Sequence, residues 1–340
     1  MTLPVEPPVD PMLSAPADQI PRGPGWLYEP KWDGFRAIVF RESERLLIAS
    51  RNRQPLERYF PELVETLRAG LPDRCVVDGE IVIVGSGALD FDALLQRIHP
   101  AASRIRLLSE QTPASFVAFD LLALGESDCR AEPFTARRKQ LERGLQTSQR
   151  LTLTPQTADA EKAEEWFDQF EGAGLDGIVA KKEELPYLSG KRVMVKVKHE
   201  RTADCVVGGY RVHKSGEGVG SLLLGLYDEN GILHHVGHTS SFSAAQRREV
   251  LAQLRPLEGK ESFGKGRTPG EPSRWTQGRD TSWISVEPSR VCEVAFDHLQ
   301  GQRFRHAARF LRWRADKTAR ECSYQQLAPP RAFSIADWLG

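Results

Sequence analysis

From residue 205 to residue 313 the chain offers five short apolar, β-branched runs and a single helical segment, an inventory that few folds can use. The runs cover 205–212, 221–227, 233–239, 291–296 and 310–313, and the helix covers 244–254 behind a capping Ser243. Five strands and one helix suit a small barrel of the OB type. This texture begins at about residue 201, so the 340 residues are expected to divide into a first domain over 1–200, a barrel over 201–325 and a tail over 326–340.

The first 200 residues mix strands with helices, which makes the expected fold α+β. A strand-like run at 25–28 leads to Lys31-Trp32-Asp33-Gly34, and another at 35–40 leads away from it. Glu29 precedes Pro30 and is biased toward extended backbone, so Lys31 leaves the end of a strand for a tight loop closed by Gly34. Further strands are expected at 45–49, at 75–84 with an interruption at Asp78-Gly79-Glu80, and at 115–124, 176–181 and 193–198. Helices are expected at 61–69 and 159–170. Asp120 lies inside the apolar run 115–124, where a carboxylate is costly without a partner. Lys196 and Lys198 alternate with valines, share one strand face, and repel each other unless an anion sits between them.

Composition narrows the class. The five cysteines are scattered and include no Cys-x-x-Cys pair, which speaks against a disulfide framework and against a zinc site and for reduced, mostly buried thiols. No apolar run approaches the ~18 residues of a membrane span, and residues 1–16 lack the apolar core of a secretory signal, so a cytoplasmic protein with no membrane contact is expected. Net charge is zero, which disfavours a strongly basic nucleic-acid coat. The charge is uneven, however: residues 1–200 carry 26 Lys and Arg against 31 Asp and Glu, and residues 201–340 carry 20 against 15. Much of the basic excess lies between Arg303 and Arg320, where Asp316 is the one acid. Two features are set aside. Gly216 to Gly220 joins two strands with no helix behind it and reads as a hairpin, not a phosphate loop. His234, His235 and His238 have no Cys or carboxylate to complete a metal set.

A lysine amine, with a reference pKa of about 10.4, attacks an electrophile only where burial or nearby cations disfavour its ammonium form. Along the chain stand, in order, Lys31-Trp32-Asp33-Gly34, Ser50-Arg51, Asp78-Gly79-Glu80, Phe116 to Asp120, Asp176 to Lys181, Lys196-x-Lys198 and Arg314-Ala315-Asp316-Lys317. This series resembles the covalent nucleotidyltransferase superfamily, and within it the ATP-dependent DNA ligases, most of all the small bacterial ligase C type related to the ligase domain of ligase D. The resemblance runs from about Pro4 to about Cys322. It implies an N-terminal nucleotidyltransferase (adenylation) domain of antiparallel sheets with helices, then a C-terminal OB-fold β-barrel, with a hinge near residue 200. The implied activity is the sealing of 3′-OH/5′-phosphate nicks through a lysyl-AMP and then a DNA-adenylate. ATP and magnesium, with manganese as a substitute, are the implied cofactors. Nicked duplex DNA is the implied partner of a monomer that works with separate repair polymerase or nuclease proteins.

Carried over residue by residue, the resemblance makes Lys31 the nucleophile and places Lys196 and Lys198 at the α-phosphate. Phe119 matches the aromatic on which adenine stacks, and Glu29 a residue near the adenine edge. Glu80 matches the carboxylate near the ribose and metal. Arg36 and Arg51 match residues that hold the ribose and the 5′-phosphate of the nick. Asp176 stands where ligases usually carry a metal-binding Glu, and Arg314 and Lys317 match the cations that orient pyrophosphate. An RNA ligase or capping-type transferase is the enzymatic alternative, against which the Arg314 to Lys317 motif speaks. A non-catalytic DNA-binding module is the alternative of another class, and the joint presence of Lys31, Glu80, Lys196 and Lys198 speaks against it.

Overall fold

The computed structural model describes residues 2–170, 173–264, 269, 282–328 and 335. The chain divides into two units, Met1–His199 with Pro329–Gly340, and Glu200–Ala328. In chain order the first contains β1 (Leu13–Pro16), β2 (Trp26–Lys31), β3 (Phe35–Glu42), β4 (Arg45–Ser50), α1 (Pro61–Gly70), β5 (Arg74–Val82), α2 (Phe91–Gln96), α3 (Ala102–Gln111) and β6 (Ser115–Leu124). It continues with α4 (Phe134–Gly144), β7 (Leu151–Leu153), α5 (Ala160–Phe170), β8 (Gly177–Lys182) and β9 (Arg192–Lys198), two-residue strands aside.

These strands form two sheets. One has the order β1-β9-β8-β2, parallel only between β1 and β9. The other has the order β7-β6-β5-β3-β4, parallel only between β7 and β6. β5 and β6 lie inside the second sheet and are buried almost throughout, which is why both are near-continuous apolar runs. On one side Val77, Ile81, Phe116 and Leu121 pack with Leu63 and Leu67 of α1 and Leu141 of α4. On the other, Val82 and Val117 pack with Tyr28, Trp32 and Ile178 of the first sheet.

One local expectation needs correction, and three helices of the first unit, α2, α3 and α4, were not expected. Strand β5 runs through Asp78-Gly79-Glu80 without interruption. Gly79 permits this, because a Cβ there would run into the ring of Phe116 and the carbonyl of Val117. Helix α4, unforeseen from the sequence, buries Arg137 and Arg138, so no apolar stripe announces it. Arg137 is the partner that the buried Asp120 requires: its Nε and Nη2 donate to the two carboxylate oxygens at 2.8 and 3.0 Å. Helix α5 follows its expected span to Phe170; of the two glycines that the sequence offers as its stop, Gly172 lies outside the described residues and Gly174 has a positive φ of 75°.

The second unit contains β10 (Arg201–Val212), β11 (Val219–Tyr227), β12 (Leu233–Thr239), α6 (Ala244–Leu254), β13 (Val291–Phe296) and β14 (Arg309–Trp313). Its sheet, in the order β12-β11-β10-β13-β14, is antiparallel. A parallel bridge from Thr239 to Ala308 joins the end of β12 to the approach of β14 and draws the edges together as a barrel does. Ser243 and Gln246 cap α6 reciprocally. The fold is α+β, with an OB-type barrel as its C-terminal unit.

All five cysteines are buried and unbridged. No helix among the described residues is long and apolar enough to cross a membrane. Of the tail, residues 329–334 and 336–340 lie outside the described residues. Ile335 is fully buried with the first unit's core, its N–H donating to the Gly87 carbonyl at 2.8 Å.

Candidate active site

Strand register assembles one wall of a cavity in the first unit. Gly177 of β8 faces Lys31 of β2 on one side and Lys198 of β9 on the other. Two residues along, Val179 faces Glu29 and Lys196. Because side chains alternate, Lys31, Glu29, Val179, Lys181, Lys196 and Lys198 share a single face. Asp176, just before Gly177, is clamped by its backbone: its N–H donates to the Lys31 carbonyl at 2.9 Å, and its carbonyl accepts from the His199 N–H at 3.2 Å. Its carboxylate lies between two of the lysines, paired with the Lys31 amine and 3.1 Å from Lys198 Nζ. Gly34 lets the lysine loop close against β5, since a Cβ there would meet the Ile81 carbonyl and lie 2.9 Å from Glu80 Cγ. Trp32 anchors the loop from below, buried, with its indole N–H donating to Thr154 Oγ1 at 2.9 Å.

The second sheet supplies the facing wall. Arg36 and Glu80 are opposite each other on β3 and β5. Between β5 and β6, Asp78 pairs with Asp120 and Gly79 with Ala118, which leaves Phe119 as the extra residue of a bulge. Such a bulge re-aims a side chain, and here Phe119 joins the lining of the cavity, of about 280 Å³, with Glu29, Lys31, Arg36, Arg51, Glu80, Lys196 and Lys198. That volume is close to the lower end of pockets that hold small ligands, roughly 300–1,000 Å³. Eight of the residues singled out in the sequence therefore surround one space, and Asp176 touches two of them.

The electrostatics are unbalanced toward the cations. Burial, then Lys198 and Lys31, lower the pKa of Lys196. Burial pushes Glu80 up to about 7 against the pull of Arg36 and Lys31. Arg36 is held by Asp78, to which Nε and Nη2 donate at 2.6 Å each, and its guanidinium carbon lies 4.3 Å from the centre of the Phe119 ring. Burial works against the charge on Arg36, but Asp78 more than offsets it. Asp78 is fully buried and also accepts from the Tyr187 hydroxyl at 2.6 Å. Magnesium takes one or two carboxylates and completes its shell with phosphate oxygens and water. Glu80, a cavity carboxylate whose ionised form burial disfavours, fits that requirement. Asp176, which meets both lysines through Oδ2, fits it as a second carboxylate.

Arg314 and Lys317 belong to the second unit, where both meet an acid that sequence reading missed. Asp204 of β10 accepts from Arg314 Nη1 at 2.9 Å and from Lys317 Nζ at 2.7 Å, while Asp316 takes the other edge of the guanidinium at 2.8 Å. Gln326 fixes Asp204 in turn, accepting from its backbone N–H at 2.8 Å and donating to its carbonyl at 3.1 Å. The hydrogen bond from Arg314 holds Asp316 at about 2, and that to Asp204 raises Lys317. Two more cations of this basic stretch are similarly paired, Arg309 with Glu200 at 2.5 Å and Arg312 with Glu293 at 2.6 Å, while Arg320 donates to the Gly231 carbonyl at 2.9 Å.

The sequence reading gave Asp78, Lys181 and Asp204 no role. Asp78 and Asp204 did leave a signal, each as a charge within an apolar strand, whereas Lys181 lies near the end of its strand.

Residues 11–198 match the ATP dependent DNA ligase domain, and residues 215–317 match the ATP dependent DNA ligase C terminal region. DNA ligase C of Mycobacterium tuberculosis is 51% identical over 99% of this chain and 98% of its own length. DNA ligase C2 of Mycolicibacterium smegmatis is 51% identical over 98% and 99%. A solved Lig E DNA ligase, described as binding DNA with a minimal scaffold, is 19% identical and covers 90% of this chain and 100% of its own with a TM-score of 0.55, a likeness of fold alone. Half of all positions shared along the full length of two ligases, on top of both domain matches, fixes the descent: the chain belongs to the ATP-dependent DNA ligases.

Proposed function

We propose that this ligase is adenylylated on Lys31 and seals 3′-OH/5′-phosphate nicks in duplex DNA. The observation that carries the assignment is the register that sets Lys31, Lys196 and Lys198 on one face around a cavity. Lys31 Nζ attacks the α-phosphorus of ATP, a P–N bond forms, the bond to the bridging oxygen breaks, and pyrophosphate leaves. The AMP then passes to the 5′-phosphate of a nick, and the 3′-oxygen displaces it to close the strand.

Lys31 has to lose a proton before it attacks. Asp176 holds the Lys31 amine in place and would also serve as a ligand when a metal ion is bound. Glu80 and Asp176 would hold magnesium or manganese, which supplies charge neutralisation for the phosphates when bound. Lys196 and Lys198 steady the α-phosphate oxygens, where pre-placed charge is most effective. Phe119 carries the base, with Glu29 at its edge. Arg36 serves the ribose, and Arg51 the 5′-phosphate of the nick. Arg314 and Lys317 orient the pyrophosphate. In this assignment residues 1–200 are the adenylation domain and 201–325 the OB-fold domain of a cytoplasmic monomer whose partners include repair polymerase or nuclease proteins.

The test is covalent labelling. Incubated with magnesium and ATP labelled at the α-phosphate, the protein should keep label after denaturation, and Lys31→Ala should keep none. Labelling of Lys31→Ala at the wild-type level would remove Lys31 from its role.

A further inference from the structure

Lys181 is almost wholly buried, and so is its partner Glu29, whose Oε2 lies 2.7 Å from Lys181 Nζ. Replacing such a buried pair with apolar residues is often neutral or stabilising, so stability gives little reason to keep it. Its surroundings give another. The ammonium borders the cavity, 5.0 Å from the centre of the Phe119 ring and 4.4 Å from that of Phe134, and points to the Phe119 carbonyl at 3.5 Å. Glu29 Oε1 accepts from Gln156 at 3.0 Å and lies 3.4 Å from Arg138. Lys181 is therefore the nearest cation to Glu29 and ties that carboxylate to Phe119.

An ionised carboxylate only accepts hydrogen bonds, whereas a protonated one also donates. Adenine offers an amino donor at the position where guanine offers an oxygen acceptor. We infer that Lys181 is a positioning residue for base selection, fixing the Glu29 carboxylate at the cavity edge so that the pocket takes adenine and refuses guanine. The inference rests on the assignment of Phe119 and Glu29 to the base. It adds the residue that makes the edge discriminate.

The experiment measures covalent labelling against concentration for ATP, GTP and purine riboside triphosphate, which lacks the 6-amino group. Wild-type protein should prefer ATP over both; equal use of ATP and purine riboside triphosphate would overturn the base-site assignment itself. Given that preference, Lys181→Gln and Lys181→Met should raise the KM for ATP about tenfold or more, with a smaller fall in kcat, and cut the ATP-to-GTP ratio about tenfold or more, the usual weight of a charge-assisted hydrogen bond. A ratio within about threefold of wild type in either variant would overturn the role of Lys181 while leaving the base site standing. Lys181→Arg, which keeps the buried charge, should hold the ratio. If neither neutral variant folds, the arginine variant decides, and loss of the ratio there overturns the role.

Discussion

The cations of the cavity and those of the Arg309 to Lys317 stretch are neutralised to different degrees. In the cavity, Arg36 and Lys181 are paired with Asp78 and Glu29, but Lys31 and Lys198 share the single carboxylate of Asp176, and Lys196 and Arg51 have no carboxylate partner among the described residues. In the stretch, Arg314 has two carboxylates, Lys317 takes one of the same pair, and Arg309 and Arg312 have one each. The stretch looks the more basic on paper and is the better balanced in space. The cavity is arranged to receive an anion, whereas Arg314 has to trade the Asp316 carboxylate for a phosphate while Asp204 anchors it together with Lys317.

The largest expected effect tests that trade. Arg314→Ala combined with Lys317→Ala should reduce self-adenylylation about a hundredfold or more, because two charge-assisted contacts to departing pyrophosphate are lost. Sealing of a nick supplied already adenylylated at its 5′-end should fall far less, since no β- or γ-phosphate remains in that step. Equal losses in single-turnover assays of the two reactions would make the stretch a DNA contact and erase the comparison.

Asp204→Asn sharpens it. The variant removes the one carboxylate that Arg314 and Lys317 share, and self-adenylylation should drop about tenfold as both lose their common anchor. A faster reaction would show that Asp204 restrains the two cations more than it presents them.

Lys196→Met should lose ATP-dependent labelling yet melt slightly higher than wild type in the absence of ligand. The sign follows from linkage. A lysine whose folded pKa is lowered holds its proton less tightly folded than unfolded, so its charge opposes folding at neutral pH, and that opposition fades as pH rises through the folded pKa toward about 10.4. The difference in melting temperature should close over the same range. A variant that melts lower at pH 7 would mean that Lys196 is a structural residue.

The smallest effect concerns DNA grip. A cation that meets a phosphate releases a counterion, and losing one flattens the salt dependence of binding by about one unit of slope. Arg51→Ala should do so on nicked duplex, and Arg312→Ala, already paired with Glu293, should change the slope much less. Equal slopes for the two variants would break the distinction between open and neutralised cations.

Local pattern carried the fold class, the ligase family and most of the strands, because strand alternation, turn residues and a lysine loop ended by glycine are written within about ten residues of each other. It failed where burial rested on charge. Helix α4 shows no apolar stripe because it buries Arg137 against Asp120 and Arg138 beside Glu29. Lys181, at the end of a short apolar run, looked like an ordinary strand terminus.

By itself, then, the sequence determined which kinds of side chain the site has to draw on and in what order they come. Tertiary structure decided who neutralises whom. Asp176 reaches Lys31 only through the pairing of β8 with β2, and Asp204 reaches Arg314 only because β13 brings β10 and β14 together. Phe119 faces the cavity because of a one-residue slip between β5 and β6. Such partners lie far apart along the chain and are set by register, and a shift of one residue would send each side chain to the opposite face of its sheet. The residue types are a local property of the chain, and the pairings follow from which strands meet and in which register.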